Sequence, residues 1–325
     1  MSLLTIFVKI TLMKTKQFKA FTLIELLVVI AIIGILSALI VVGMSSTNQK
    51  ATIAKAQVFA NSLRNSLMSN LVSEWRFDQI NVPAANQTPD SWGGGNTGTL
   101  YSAPQLQTTG CVSGNCLSFD GVDDYIEAAD NNTLDIVSDL TISVWFKMIN
   151  NPTGNNRGII AKWRNQTGYL NQRAYGIVVT PSGYIGASVS TDGLNNEGVS
   201  SNSATGAIDR ADGFWHHIVL VFDASSYLRE YVDGRQEANN TTNVMSSIFN
   251  SPAPLWFGVQ YDLGISDVYA NAFIDDARIF NVAMPTSQIQ QNYFAGLNKL
   301  LAKNGMELFE YQQHLVELNS NYAEN

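Results

Sequence analysis

Charged side chains are scarce in this chain. Asp, Glu, Lys and Arg make up 14% of its 325 residues, against roughly 25% in an ordinary soluble domain. The surface must then be built from Asn, Ser, Thr and Gln, which suits a β-rich secreted domain. Histidine occurs three times and cysteine twice. A structural zinc site takes four Cys or His ligands, and no cluster supplies them. The two cysteines, Cys111 and Cys116, flank a four-residue stretch, Val-Ser-Gly-Asn. A short disulfide-closed turn in an oxidising compartment is one reading of that spacing. Two free buried thiols is the other. Basic residues are also few, and the net charge is −8. Four lysines (Lys9, Lys14, Lys16 and Lys19) sit in the first 20 residues, so the rest of the chain is more acidic still. An acidic surface cannot neutralise phosphates, which excludes nucleic acid as a partner.

One stretch has almost no charge at all. From Phe21 to Gly43 the single ionisable side chain is Glu25. About 20 apolar residues span a bilayer core as a helix, and the preceding lysines place its N-terminus in the cytoplasm. A secretory signal carries its small-residue cleavage site after the apolar run. Here the small residue, Ala20, comes before it. Beyond the run, Ile53, Ala56, Phe59, Ala60, Leu63, Leu67 and Leu71 recur at three- and four-residue spacing. The expectation is one helix over residues 21–72, with a membrane half and an amphipathic half.

The residues Lys19-Ala20, then Phe21-Thr22-Leu23-Ile24-Glu25-Leu26-Leu27, resemble the leader of type IV prepilins and type II secretion pseudopilins. The resemblance implies cleavage by a prepilin peptidase between Ala20 and Phe21, followed by methylation of the new Phe21 amine. That family usually has Gly where Ala20 stands. It also implies that Glu25 meets the terminal amine of a neighbouring pilin-like subunit and sets register during assembly. A lone carboxylate near the membrane interior is costly and calls for such a partner. Residues 1–20 are read as leader. Met13 opens a typical short basic leader, so it is the expected start.

After Ser73 the periodicity changes from 3.6 to 2. Strand-like runs include 117–119, 125–128, 140–148, 159–163, 175–179, 184–189, 216–222, 228–232, 255–259 and 272–280, separated by turns rich in Gly, Asn, Asp and Pro. Such spacing predicts an all-β sandwich. Leu140, Ile142, Val144 and Phe146 alternate onto one face. Val232-Asp233-Gly234-Arg235 reads as a hairpin with an Asp-Gly turn.

Several motifs occur in order: Trp75-Arg-Phe-Asp78, Leu117-Ser-Phe-Asp-Gly-Val-Asp-Asp-Tyr-Ile126, Leu140–Phe146, Gly213-Phe-Trp-His-His-Ile-Val-Leu-Val-Phe-Asp223 and Ala272-Phe-Ile-Asp-Asp-Ala-Arg-Ile-Phe280. Together they resemble the laminin-G-like, concanavalin A-like jelly rolls, over residues 73–284. That fold hosts sugar binding, adhesion and hydrolysis alike. Its glycosidases place carboxylates as Glu-x-Asp-x-Glu on one strand, facing the scissile bond. No such triplet occurs here, so no catalytic residue is assigned and the chain is not expected to be an enzyme. The resemblance also implies a structural calcium where first and last strands meet. Asp275 is the first ligand candidate and Asp78 the second. Trp75, Trp145 and Trp215 are expected in the core; Trp92, Trp163 and Tyr169 are freer to meet a sugar.

Residues 285–325 read as two helices, the first starting at Thr286 or Ser287 with Ile289, Tyr293 or Phe294, Leu297 and Leu301 as its stripe. The whole is an all-β jelly-roll head on a long N-terminal helix with a helical tail. The expected role is a minor or tip pilin, single-pass in the cytoplasmic membrane before assembly. It would carry its head outside the cytoplasm, at the cell surface or in a pilus or pseudopilus, for glycans or cell-surface polymers. A structural pseudopilin and a surface glycoside hydrolase are the alternatives.

Overall fold

The computed structural model describes residues 69–82, 84–148, 150–166, 169–194, 201–261, 269–303 and 306–320. Ala20, Phe21, Glu25, the leader and the predicted helix as far as residue 68 lie outside the described residues. Among the described residues, no helix is long and apolar enough to cross a membrane.

Sixteen strands form two eight-stranded sheets among the described residues. The first sheet contains β1 (Leu71–Trp75), β4 (Gln105–Gln107), β5 (Cys116–Asp120), β7 (Leu140–Met148), β12 (His216–Asp223), β13 (Tyr227–Val232), β14 (Arg235–Asn240) and β16 (Asn271–Phe280). Its order is β14-β13-β12-β7-β16-β5-β4, with β1 on the C-terminal half of β16. The second contains β2 (Gln87–Thr88), β3 (Gly98–Tyr101), β6 (Tyr125–Ala128), β8 (Arg157–Gln166), β9 (Tyr169–Val179), β10 (Ile185–Ser190), β11 (Ser201–Thr205) and β15 (Leu255–Phe257). Its order is β11-β10-β9-β8-β15-β6-β3-β2. Every strand pairing is antiparallel. Two such sheets packed face to face are a jelly-roll-like sandwich.

The boundary of the predicted helix needs correction. Leu71 and Val72, given to its end, belong to β1, where Leu71 pairs with Phe280. Leu71 fits the helical stripe by spacing, but burial against the last strand decides its state.

The core lies between the sheets. Leu140, Ile142, Val144 and Phe146 of β7 face it together, with Ile126, Ile160, Ile177, Leu220 and Phe257. Trp75 and Phe77 meet Phe257 edge-to-face at 5.0 and 5.3 Å. Asp233 and Gly234 both have positive φ, and Val232 pairs with Arg235, so the predicted hairpin turn forms.

The tail supplies a third layer. Helix α1 (Thr286–Ala302) and helix α2 (Leu308–Ser320) follow β16. α1 buries Ile289, Tyr293 and Leu297 against the outer face of the first sheet. Gly296 stands so near the Trp145 ring that an added Cβ would lie 2.1 Å from it. Only glycine lets the helix settle on the sheet there.

Candidate ligand-binding face

The register of the second sheet sorts its residues into two faces. Leu100, Ile126, Leu255 and Phe257 turn inward to the core. Their strand neighbours therefore turn outward. These are Tyr101 on β3, Tyr125 and Glu127 on β6, and Trp256 on β15. Tyr101 pairs with Tyr125, and Glu127 with Trp256. Tyr261 and Tyr269 join them from the chain that follows β15, pairing with Arg164 and Val259 through isolated bridges.

These side chains form one connected aromatic surface. Tyr101 and Tyr125 stack with ring centroids 4.6 Å apart and planes 4° from parallel. Tyr125 meets Tyr269 at 6.2 Å, and the Tyr261 and Tyr269 hydroxyls share a 2.7 Å hydrogen bond. Tyr261 stands edge-on to Trp256 at 4.9 Å. Trp256 is the fully buried anchor: its Nε1 donates to Glu127 Oε2 at 2.9 Å, and the Arg164 guanidinium lies over its ring at 5.2 Å. Tyr101 is 39% exposed, and Tyr125, Tyr261, Tyr269, Glu127 and Arg164 are half-buried. Burial, then the charge of Glu127 and the neighbouring tyrosines, push the Tyr125 hydroxyl up to about 12. Burial and the bond to Tyr269 push Tyr261 up as well. The Tyr125 and Tyr261 hydroxyls therefore remain neutral donors at any physiological pH. The surface offers flat apolar rings bordered by a carboxylate, a guanidinium and hydroxyls.

A second concavity lies at the edge of the sandwich. Trp92, Gly93, Asn132, Thr133, Val137 and Ser138 line part of a groove of about 520 Å³. That is within the usual range for ligand clefts, about 300–1,000 Å³.

Residues 120–290 match the family model of the concanavalin A-like lectin/glucanases superfamily. The chain belongs to that superfamily. Residues 15–41 of this lectin-like chain match the prokaryotic N-terminal methylation motif, which marks a prepilin-type, membrane-anchored protein of surface pili. No curated protein matches the chain. Among solved structures, the binding domain of Paraclostridial Mosquitocidal Protein 1 is similar at 14% identity and a TM-score of 0.56, covering 71% of this chain and 53% of that one. The receptor binding domain of botulinum neurotoxin C/D mosaic serotype gives 16% and 0.54, over 71% and 52%. The ligand binding domain of botulinum neurotoxin serotype D, solved with N-acetylneuraminic acid, gives 16% and 0.53, over 72% and 53%. The chain thus spans about half the length of these domains, and at such identity the likeness is one of fold.

The residues singled out by sequence fall elsewhere on this lectin-like head. Cys111 and Cys116 form a disulfide with Cα atoms 5.5 Å apart. Asp78 and Asp275 both hold the loop it closes. Asp275 Oδ2 accepts from the Ser113 amide at 2.9 Å, and its Oδ1 from the Asp276 amide at 2.8 Å. Asp78 Oδ1 accepts from the Asn115 amide at 2.7 Å. Lys303 Nζ donates to Gly114 O and Trp215 Nε1 to Gly110 O, both at 2.7 Å. Both carboxylates thus accept backbone N–H bonds from the loop or its neighbour, a bonding pattern that suits carboxylates clamping a turn. Burial, reinforced by neighbouring Asp276, raises Asp275 well above the usual carboxylate range.

Trp75 and Trp145 are buried as expected, but Trp145 lies outside the sandwich core, beneath α1 with Tyr293. Trp215 is buried beside it. Trp163, expected to be free, is only 2% exposed, because it faces Arg173 across the β8–β9 ladder. Trp92 does line the groove. The Tyr169 side chain lies outside the described residues. His216 and His217 are structural. His216 bridges Asp233 and Asp212 at 2.7 and 3.0 Å, and His217 bonds Ser143 Oγ at 2.8 Å. The tyrosine face was missed by sequence reasoning. Its signal was present: Tyr101 and Tyr125 occupy the outward phase of strands whose inward phase is Leu100 and Ile126.

Proposed function

We propose that this chain is a pilin-like subunit whose lectin-like head binds glycans or related cell-surface polymers through the outward tyrosine face of the second sheet. The observation that carries the reading is the Tyr101–Tyr125 stack, held rigid by its ladder pairing and left open to solvent. Pyranose rings present apolar C–H faces that pack on aromatic rings, while their hydroxyls seek donors and acceptors at the rim. Tyr101 and Tyr125 supply the first. Glu127, Arg164 and the Tyr261–Tyr269 hydroxyl pair supply the second. Rigid aromatics also lose little side-chain entropy on binding.

The methylation motif supports the pilin half of the reading. Cleavage before Phe21 and pairing through Glu25 would place the subunit among other pilin-like subunits, anchored first in the cytoplasmic membrane. A sandwich of this bulk suits a minor or tip position better than every position of a thin filament. We read the head as a binding module without catalysis.

The test is a screen of the full chain, in detergent, against immobilised glycans and cell-wall polymers, with Tyr101→Ala beside the native protein. Binding to a defined polymer, lost in the variant while its melting temperature holds, supports the reading. Native protein that binds nothing, or a variant that binds equally well, removes the tyrosine face from the function and favours a structural pseudopilin.

A further inference from the structure

The turn between β5 and β6 gathers three carboxylates. Asp120 ends β5, and Asp123 and Asp124 precede β6. One carboxyl oxygen of each lies within 4.8 Å of the others. Oxygens no farther apart than this can share one calcium ion, whose Ca–O distance is roughly 2.4 Å. A closeness of this kind, among like charges, needs a reason.

The local hydrogen bonds explain only half of it. Asp120 Oδ1 caps the turn, accepting from the Val122 amide at 2.8 Å and the Asp123 amide at 3.4 Å. Asp124 Oδ2 accepts from the Asp120 amide at 3.1 Å. Asp124 is 4% exposed, and its other oxygen, Oδ1, is buried with no hydrogen-bond partner among the described residues. A buried carboxylate oxygen without a donor is a rarity that points to an unseen ligand. Asp120 and Asp123 are exposed, so the site opens to solvent on the other side. The backbone is fixed for the purpose. Gly121 has a φ of +79°, and an added Cβ would lie 2.8 Å from Asn271 Cβ. Asn271 pairs with Asp120 across the ladder.

We propose that Asp120, Asp123 and Asp124 bind a calcium ion at this turn. The donors are hard oxygens on a flexible, partly exposed loop, which matches calcium's variable shell better than the strict octahedron of magnesium. The site is distinct from the Asp78–Asp275 junction. It directly precedes Tyr125, so the ion would also brace the strand that carries the tyrosine stack.

Terbium replaces calcium in oxygen sites and is excited through nearby tyrosines, here Tyr125. The full chain in detergent, with no glycan present, is titrated with terbium and then with calcium. The expected result is saturable luminescence on tyrosine excitation, displaced by calcium and reduced at least tenfold in Asp120→Asn/Asp123→Asn. Those two residues are exposed, so the variant should fold, and an unchanged circular dichroism spectrum confirms it. No calcium-displaceable signal in the native protein overturns the proposal, as does an undiminished signal in the folded variant. Because no glycan enters this experiment, its failure leaves the reading of the tyrosine face untouched, and the converse holds.

Discussion

The outer faces of the two sheets invite comparison. Each carries large aromatics, and the two are finished in opposite ways. On the first sheet, Trp145 and His217 lie under Tyr293 of α1, with ring centroids 5.8 and 6.1 Å away. Charged groups on this face form ion pairs. Glu74 pairs with Arg278 at 2.8 Å, and Asp276 with Lys299 at 2.8 Å and Arg278 at 3.5 Å. Burial alone would raise Asp276, but the charges of Lys299 and Arg278 hold it well below the usual carboxylate range. On the second sheet the aromatics stack on one another and leave Tyr101 in water. A face meant for packing neutralises its charges and lies under a helix. A face meant for a ligand keeps rigid rings and rim polar groups in reach of solvent.

That contrast can be broken by mutation, and the largest effect belongs to the covered face. Trp145→Ala should cost about 3–5 kcal/mol, because the residue fills the space that Gly296 opens beneath α1. Chemical denaturation measures it, and a cost under about 1 kcal/mol would show that the helix is not seated on this ring. Arg278→Met comes next. It leaves Glu74 and Asp276 buried with fewer counter-charges, and breaking such pairs costs about 3–5 kcal/mol, less whatever Lys299 and Arg76 recover.

The third effect is a pH dependence. Burial, then the charge of Glu237, raises Glu230 to about 9. The folded state therefore holds a proton that the unfolded chain releases near 4.5. Stability must fall as pH rises between those values and level off above. Glu230→Gln should flatten that fall and stabilise the head at pH 8. His216 acts in the same direction. Burial would lower it, but Asp233 and Asp212 outweigh burial and raise it to about 9. Its contribution, present below 6.5, is lost as pH climbs through 9. Melting temperatures of the native and Gln forms from pH 5 to 10 show whether the slopes differ. The smallest effect on stability is Tyr101→Ala, about 1 kcal/mol for the loss of one stacked aromatic pair, although it should abolish polymer binding. A large loss of stability would make Tyr101 a packing residue and erase the distinction between the faces.

Local patterns carried much of this into the sequence. The alternation of Leu140–Phe146, the Asp-Gly hairpin at 233–234, the stripe of α1 and the placement of Cys111 and Cys116 were all legible, because each depends on a few neighbouring residues. The methylation motif was legible for the same reason: Ala20, Phe21 and Glu25 lie close together along the chain. The state of Leu71 was not, since its strand pairs with Phe280, more than two hundred residues away. Nor were the hydrogen bonds by which Asp78 and Asp275 hold the disulfide loop.

The sequence by itself determined a prepilin-type N-terminus, a two-sheet lectin-like sandwich and a helical tail, because periodicity and short motifs are local properties of the chain. Tertiary structure alone decided which aromatics face water. Trp145 and Tyr125 both sit on strands with their rings turned away from the core, and nothing in their neighbours tells them apart. One is covered because α1 returns to it from the end of the chain. The other is half-buried and stacks on the more exposed Tyr101, and only the register of β3 against β6 brings those two residues together.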